Sequence, residues 1–226
     1  MSSPISEAAV PDALRRNPVG IFLVWNRRLH YYLGLYLLFF CWLFALTGLL
    51  LNHQKWEFAQ FWPNRVQTRI EREFREPEGA TDLLRARDLM RQLGIAGEVQ
   101  WPNVQPAGGP LSFQVTRPGR VVEVKADLAT KRATLQQSDV NTWGVLQVLH
   151  TFTGVRTTDV SNSRDWVLTT VWALSMDAVA VGLVAMVFSS YIMWYRLKAK
   201  RRWGVVALLL GCATCGAFVV GLRWFA

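Results

Sequence analysis

The chain contains three histidines, His30, His53 and His150, among 226 residues. Neutral imidazole is a common iron ligand, and two imidazoles can supply both axial bonds to a haem. His30 opens a long uncharged run, and His53 follows the end of that run. A helix that rises ~1.5 Å per residue would separate these two side chains by about 35 Å. They therefore cannot bind one metal ion together.

Three long apolar segments explain why 51% of the residues are hydrophobic. Each segment is long enough to cross ~30 Å of hydrocarbon as a helix, which takes about 20 residues. The predicted transmembrane helices comprise residues 29–52, 167–196 and 203–226. The first lies too far from the N-terminus for a signal peptide and lacks a small-residue cleavage site after it.

Basic residues beside the apolar segments predict the orientation of the chain. They cluster in a tail of residues 1–28, at Arg27 and Arg28, and in a short turn of residues 197–202. Such clusters favour the cytoplasmic side, so we expect residues 53–166 and the C-terminus to lie outside. The outside segment carries 15 Lys/Arg against 13 Asp/Glu, so most of the net charge of +9 reflects topology. Nucleic acid binding is not expected.

Residues 53–140 have the pattern of a small α+β domain. Residues 81–94 predict a helix that Thr81 caps and Gly94 ends. Its predicted apolar face comprises Leu83, Leu84, Leu89, Met90 and Leu93.

Alternating apolar residues predict the strands of this domain. They lie at residues 98–104, 111–117 and 120–126, with a further turn and strand at 126–135. The proline in the first strand places it at an edge of the sheet. The preceding segment, RIEREFREPE at residues 69–78, is interpreted as a charged helix or linker.

Residues 141–166 are predicted to form an interfacial helix, which carries His150, and a linker. His53 and His150 would then lie at one membrane level, where both could ligate one haem iron. Arg156 or Arg164 could pair with the haem propionates. The alternative is that each histidine is an amphipathic anchor at the membrane surface.

Other polar residues within the apolar segments leave several interpretations open. Asp177 could accept a hydrogen bond from a ligating imidazole, or it could reach interfacial water. His30 has no second histidine at its level, which leaves a dimer mate, Met193 or no ligand role. Cys212 and Cys215 form a CxxC pattern, but their position in mid-span disfavours thiol redox chemistry.

The order of these segments resembles the PepSY-associated transmembrane helix family. The resemblance rests on RRLHYYLGLYLLFFCWLFALTGLLLNH, VLHTFTGV and DAVAVGLVAMVFSSYIMWYRL, and covers roughly residues 26–197. It implies a bacterial inner-membrane protein with three transmembrane α-helices and a small periplasmic PepSY-like α+β domain between the first two. The N-terminus would be cytoplasmic and the C-terminus periplasmic.

The resemblance also implies a cofactor, because some members of the family resemble b-type haem proteins that pass electrons outward, including to ferric siderophores. His53 and His150 match ligand positions, and His30 matches another family histidine. Larger relatives have more spans and histidines, often enough for two haems. Three histidines allow one bis-histidine haem per chain, and a second only if a dimer mate or partner shares it.

Two hypotheses follow. The first is a haem b protein that transfers electrons to a periplasmic acceptor, either as a ferric siderophore reductase or as an electron-transfer subunit. No nucleotide- or flavin-binding fingerprint occurs in the sequence, so quinol or a protein partner would supply the electrons. The second is a non-catalytic membrane subunit or regulator, whose PepSY-like domain binds a periplasmic protein. Expected partners are the lipid bilayer and a homodimer mate or another membrane subunit.

Overall fold

The computed structural model describes residues 18–104, 109–155, 163–197 and 201–224. The chain divides into two compact units. The sheet unit comprises residues 40–178, and the helical unit comprises residues 1–39 and 179–226. Two long helices are divided between the two units.

Three helices are long and apolar enough to cross a membrane, which is typical of a membrane protein. They are α1 (Pro18–Asn52), α4 (Val167–Arg196) and α5 (Arg201–Trp224). The first extends beyond the predicted span of residues 29–52, because its helix already begins at Pro18. Proline suits the first position of a helix, where its missing N–H is not needed, and no helix-breaking residue follows.

In the helical unit, α1 and α4 pack through small and polar residues. The Asn26 amide donates to the Ser189 carbonyl oxygen, and the Ser189 hydroxyl donates to the Asn26 carbonyl oxygen, both at 3.3 Å. Both side chains are buried. Gly34 faces Met186 at ordinary van der Waals distance. Small residues of this kind allow transmembrane helices to approach closely.

The third long helix, α5, has a different environment. None of its residues, all of which the structure describes, is buried. It contacts α4 near its beginning, where Gly204 lies against the Trp194 indole and the Arg201 guanidinium stacks on Tyr195. The rest of this helix lies on the surface of the protein.

The sheet unit contains a five-stranded antiparallel sheet of strand order β1-β5-β4-β3-β2. The strands are β1 (Val66–Glu73), β2 (Glu98–Val104), β3 (Leu111–Arg117), β4 (Arg120–Asp127) and β5 (Arg132–Asp139). β2 is an edge strand, as its proline predicts, and the pairing register shifts between Gln100 and Asn103, on either side of that proline.

A single helix, α2 (Asp82–Gln92), packs on one face of the sheet. The Thr81 hydroxyl accepts a hydrogen bond from the Leu84 N–H, and Gly94 takes the left-handed conformation that ends the helix. The helix buries Leu89, against a core that includes Phe113, Val115, Val122, Val124 and Leu135. The prediction for Leu84 was wrong. Its side chain is 44% exposed, because its position falls on the solvent side of the helix.

The interpretation of residues 69–78 as a charged helix or linker was wrong for residues 69–73, and held only for residues 74–78, which link β1 to α2 without helix or strand. Residues 66–73 form β1, which pairs along its whole length with β5. Apart from the half-buried Ile70, the residues of this strand are exposed. Charged side chains are common on edge strands, because they discourage pairing with other chains. They hid the alternation of Val66, Thr68 and Ile70.

A short helix, α3 (Thr142–Thr151), follows the sheet and carries His150. The Asn141 side chain caps it by accepting from the Gly144 N–H at 3.0 Å. Its buried residues are Gly144 and Gln147. Gly144 lies against the Phe61 ring, and the Gln147 amide donates to the Ala59 carbonyl oxygen at 2.9 Å. These contacts hold α3 against the segment that leaves α1.

Candidate functional site

His150 lies against the last two turns of α1. Its Nδ1 is 2.7 Å from the Thr47 hydroxyl oxygen. Its ring meets Phe44 edge to face, with 5.3 Å between the ring centroids. A Cβ atom at Gly48 would lie 3.5 Å from the His150 Cε1. The pair Thr47-Gly48 therefore provides both a polar partner and the space for the imidazole.

Thr47 and His150 share a hydrogen bond whose direction depends on where the Thr47 hydrogen points. A hydroxyl has one hydrogen, and the Thr47 oxygen has three acceptors within reach: the Leu43 carbonyl oxygen at 2.7 Å, the Phe44 carbonyl oxygen at 3.3 Å and Nδ1 of His150 at 2.7 Å. When the hydrogen points to either carbonyl oxygen, Thr47 accepts from Nδ1–H of His150, and Nε2 of His150 carries the lone pair. A hydrogen bond on one ring nitrogen is what orients the other for metal binding.

In His53, a backbone carbonyl oxygen selects this tautomer. Its Nδ1 is 3.0 Å from the Leu49 carbonyl oxygen. A carbonyl oxygen can only accept, so Nδ1 carries the hydrogen and Nε2 carries the lone pair. The ring is exposed and stacks on Trp56, with the centroids 4.4 Å apart.

The structure brings both histidines to one end of α1 but does not bring their rings into contact. His150 lies beside Thr47 and Gly48, whereas His53 is five to six residues further along the same helix. This spacing corresponds to about 8–9 Å along the helix axis. The side-chain contacts of His53 are to Leu49 and Trp56, and those of His150 are to residues 44–48.

His30 belongs to the helical unit and is held differently. Its Nδ1 is buried and has no hydrogen-bond partner among the residues that the structure describes. It follows Asn26 and precedes Gly34 by four residues each, so it lies on the α1 face that contacts α4. No hydrogen bond fixes its tautomer.

The other predicted site residues are distributed as follows. Asp177 is exposed on α4, and within the described residues neither His53 nor His150 makes a hydrogen bond to it. Arg156 lies outside the described residues, and Arg164 is half-buried and donates to the Thr153 carbonyl oxygen at 3.3 Å. The cysteines Cys41, Cys212 and Cys215 are exposed free thiols.

A buried carboxylate that the sequence interpretation missed fixes the start of α4. Glu98 is completely buried and accepts hydrogen bonds from the backbone N–H groups of Asp165, at 2.8 Å, and Trp166, at 3.1 Å. A carboxylate beside the N–H groups at a helix N-terminus is favourable. The Asp165 carboxylate in turn accepts from Arg87 and from the Val99 N–H. The sheet is thus joined directly to the beginning of the second long helix.

The segment that follows His150 contacts the first turns of α4. Gly154 adopts a positive φ of 67°, and a Cβ atom there would overlap the Thr169 side chain. The Trp172 indole donates to the Phe152 carbonyl oxygen at 3.2 Å. These contacts fix the polypeptide immediately beyond α3, and hence restrict the position of His150.

An aromatic series begins at His53. Trp56 stacks on His53, Phe58 stacks on Trp56, and Trp143 of α3 meets Phe58 edge to face, with centroids 5.5 Å apart in the last two pairs. The series links the end of α1 to the helix that carries His150. Trp56 and Phe58 are exposed, so the sequence shows them only as scattered aromatic residues.

The donor set fits an iron held by two imidazoles. With Nδ1 as the donor, each ring keeps an Nε2 lone pair, and Gly48 leaves room beside His150. In residues 18–104, 109–155, 163–197 and 201–224, no group of three or more His, Cys, Asp or Glu side chains could hold a metal ion. A haem needs only two axial protein ligands, so the pair is sufficient in number.

Compared with protein-family models, with curated proteins and with solved structures, the chain shows no match.

Proposed function

We propose that the chain is an inner-membrane haem b protein that passes electrons to a periplasmic acceptor, such as a ferric siderophore or another iron chelate. The proposal joins the resemblance to the PepSY-associated transmembrane helix family with the chemistry of two histidines. The basic residues beside the long helices support an orientation in which the sheet unit's soluble part is periplasmic.

One observation carries the proposal: Nδ1 of His53 lies 3.0 Å from the Leu49 carbonyl oxygen and Nδ1 of His150 lies 2.7 Å from the Thr47 hydroxyl oxygen, so both rings are oriented through Nδ1. Membrane-surface anchors need no particular tautomer. Axial ligands need one unprotonated nitrogen with the ring oriented by the other. Thr47 and the Leu49 carbonyl supply this arrangement.

Haem would supply one-electron exchange between ferric and ferrous iron. The residues of the chain would hold and orient it. His150 is fixed by Thr47, by Phe44 and by the segment that follows α3. His53 directly follows the last turn of α1, and its exposed ring, which the Leu49 carbonyl and Trp56 hold, would supply the second axial bond. Arg156 and Arg164 follow His150 closely in the chain and are the nearest cations in sequence for the propionates.

The alternative function is a non-catalytic membrane subunit or regulator. The exposure of α5 favours it, because none of its residues is buried. A membrane partner or a second copy could pack there. In this alternative the PepSY-like domain binds a periplasmic protein, and replacement of His53 and His150 is tolerated.

The test is the absorption spectrum of protein purified in detergent from cells supplied with ample haem, before and after reduction with dithionite. We expect the sharp α band of a low-spin b haem in the reduced protein. Anaerobic mixing of the reduced protein with a ferric chelate should then abolish that band as the iron is oxidised.

Two outcomes count against the proposal. A colourless protein would contradict haem binding and favour the alternative role as a subunit. Pull-downs with the full-length chain would then test that role. If ferric chelates do not oxidise the reduced haem, the assignment of the cofactor stands, but ferric chelates are excluded as electron acceptors.

A further inference from the structure

A cavity of about 460 Å³ lies in the sheet unit, lined by sequence neighbours of both histidines but not by the histidines themselves. Its walls come from the last turn of α1, from residues 59–63 and from α3. Leu51 and Gln54 lie on either side of His53 in sequence, and Val148 and Thr151 lie on either side of His150. The cavity is therefore bounded by the same two helices that carry the candidate ligands. Its volume is typical of a small-molecule site.

The chemistry of the walls is neutral. Among the described residues, no charged side chain lines the cavity, whose polar groups are the amides of Gln54, Gln60 and Gln147 and the hydroxyl of Thr151. Phe61 and Trp62 add aromatic surface, and the Arg65 guanidinium, which stacks on Trp62 at 4.6 Å from the ring centroid, is engaged by the Trp62 carbonyl oxygen. A charged ligand, such as a ferric chelate or a nucleotide, would find no opposite charge on the lining side chains themselves. The walls suit a flat, uncharged ring with carbonyl or hydroxyl oxygens at its edge.

Gln147 is the polar group best placed to select such a ligand. It is 2% exposed, and in the described part of the chain its side chain makes one hydrogen bond, to the Ala59 carbonyl oxygen. A carboxamide has two N–H hydrogens and a carbonyl oxygen. One hydrogen therefore fixes the amide in place, and the other can meet a ring oxygen that enters the cavity.

We propose that this cavity binds the head group of a membrane quinone. Leu51 belongs to the last turn of a helix long enough to span the membrane, so the cavity lies at the end of a span. A lipid-soluble ligand with a polar ring partitions to this depth, and the neutral, aromatic walls match such a ring. The binding site stands without any haem, and its role as the source of electrons rests on the proposed function.

This location removes a difficulty in the proposed function. One bis-histidine haem per chain cannot relay electrons across the whole membrane. A donor bound beside the histidines lies on the same side of the membrane as a periplasmic acceptor. Each hydroquinone oxidised to quinone gives up two electrons and two protons. The electrons reduce two ferric chelates to the ferrous state, and the protons enter the adjacent water.

The test is photolabelling of the full-length chain in lipid nanodiscs with an azidobenzoquinone that carries a short alkyl tail. We expect saturable labelling of peptides that contain residues 59–63 or 147–151, which an excess of the unlabelled quinone prevents. Replacing Gln147 with glutamate keeps the size of the side chain but adds charge, so labelling should weaken about tenfold. The control, Gln136→Glu on an exposed position of β5, should label like the wild type.

A second variant covers the case in which Gln147→Glu fails to fold. Val148→Trp fills the cavity from α3, and Leu146→Trp, which does not line it, is the matched control. Labelling should be lost in the first and retained in the second. Labelling that does not saturate, that falls elsewhere, or that survives Val148→Trp would overturn the quinone site.

The same probe separates this inference from the proposed function. The double variant His53→Ala/His150→Ala should lose haem yet keep quinone labelling. If wild-type protein contains no haem but labels at the cavity, the electron-transfer role fails and the binding site stands. If wild-type protein contains haem but no specific label appears, the quinone site fails and the haem proposal stands.

Discussion

The sheet unit and the helical unit each contain histidine close to a long apolar helix, yet they treat it differently. In the sheet unit, Nδ1 of His150 is 2.7 Å from Thr47 and Nδ1 of His53 is 3.0 Å from the Leu49 carbonyl. In the helical unit, Nδ1 of His30 is buried and has no partner among the described residues. Histidines close to an apolar helix therefore differ in whether Nδ1 has a hydrogen-bond partner.

The difference teaches what to look for in a candidate ligand. A hydrogen bond to one ring nitrogen selects the tautomer and the orientation, and leaves the other nitrogen ready for a metal. An imidazole without such a partner has neither a selected tautomer nor a fixed orientation. The sheet unit also fixes the surroundings of His150 through Gly48 and Phe44, whereas the helical unit stabilises its helices through the reciprocal bonds of Asn26 and Ser189.

The largest expected effect comes from filling the space beside His150. Gly48→Val places methyl groups beyond a Cβ that already lies 3.5 Å from the imidazole, so the ring must move. Haem affinity should fall about a hundredfold, measured as reduced haem absorbance per protein during haem titration. Gly34→Val is the matched control in the helical unit, where flexible Met186 can move aside. Equal losses of haem affinity in Gly48→Val and Gly34→Val would contradict the difference between the sheet unit and the helical unit.

A smaller effect is expected from removing the hydrogen bond to His150. Thr47→Val keeps the shape of the side chain but removes the acceptor for Nδ1–H, and haem affinity should fall about tenfold. The control is Thr169→Val, since the buried Thr169 hydroxyl has no partner in the described residues. Haem titration of both variants would sharpen the comparison. Unchanged affinity in Thr47→Val would mean that the bond does not orient the ligand.

The junction between the sheet and α4 should matter for stability. Glu98→Gln exchanges one carboxylate oxygen for an NH₂ group that faces a backbone N–H, and should destabilise the protein by about 1–3 kcal/mol. Thermal unfolding in detergent, followed by near-ultraviolet circular dichroism, measures this. Glu71→Gln on the exposed edge strand should change stability by less than about 0.5 kcal/mol. An equally small effect at Glu98 would show that the junction does not stabilise the sheet unit.

The smallest expected effect concerns acid stability. Burial raises the pKa of Asp139, but hydrogen bonds from Arg120 and Gln137 outweigh burial and hold that pKa below its ordinary value. A lowered folded-state pKa contributes stability above the unfolded value, near 3.9, and this contribution is lost as pH falls through the folded-state value. Because the pair is partly exposed, the contribution should be below about 1 kcal/mol.

Denaturant unfolding between about pH 5 and pH 2 tests this pair. Asp139→Asn should flatten the decline in unfolding free energy towards low pH. Arg120→Gln combined with Asp139→Asn should be no less stable than Asp139→Asn alone. A wild-type decline that persists in Asp139→Asn would assign the acid sensitivity to other carboxylates.

The sequence was sufficient for the parts of the fold that depend on local patterns. The apolar lengths of the three long helices, the Thr81 cap, the Gly94 end and the alternating strands at residues 111–117 and 120–126 all depend on residues close together in the chain. β1 was missed because an edge strand receives its stability from pairing with β5, and its charges conceal the alternation.

The candidate site was only partly predictable, for a similar reason. His53 and His150 stand out by rarity and position. The partner of His150, Thr47, is 103 residues away in sequence. The Glu98 cap likewise joins residues 67 and 68 positions apart. Such contacts become visible only when the chain is folded.

The most direct test of the central claim is the spin state of the ferric haem in three single variants, measured by electron paramagnetic resonance and normalised to protein. We expect low-spin haem at wild-type content in His30→Ala. In His53→Ala and in His150→Ala we expect either loss of haem or conversion to high spin, because one axial bond is missing. Low-spin haem at full content in either of these two variants, or its loss in His30→Ala, would contradict the assignment of the ligands to the sheet unit.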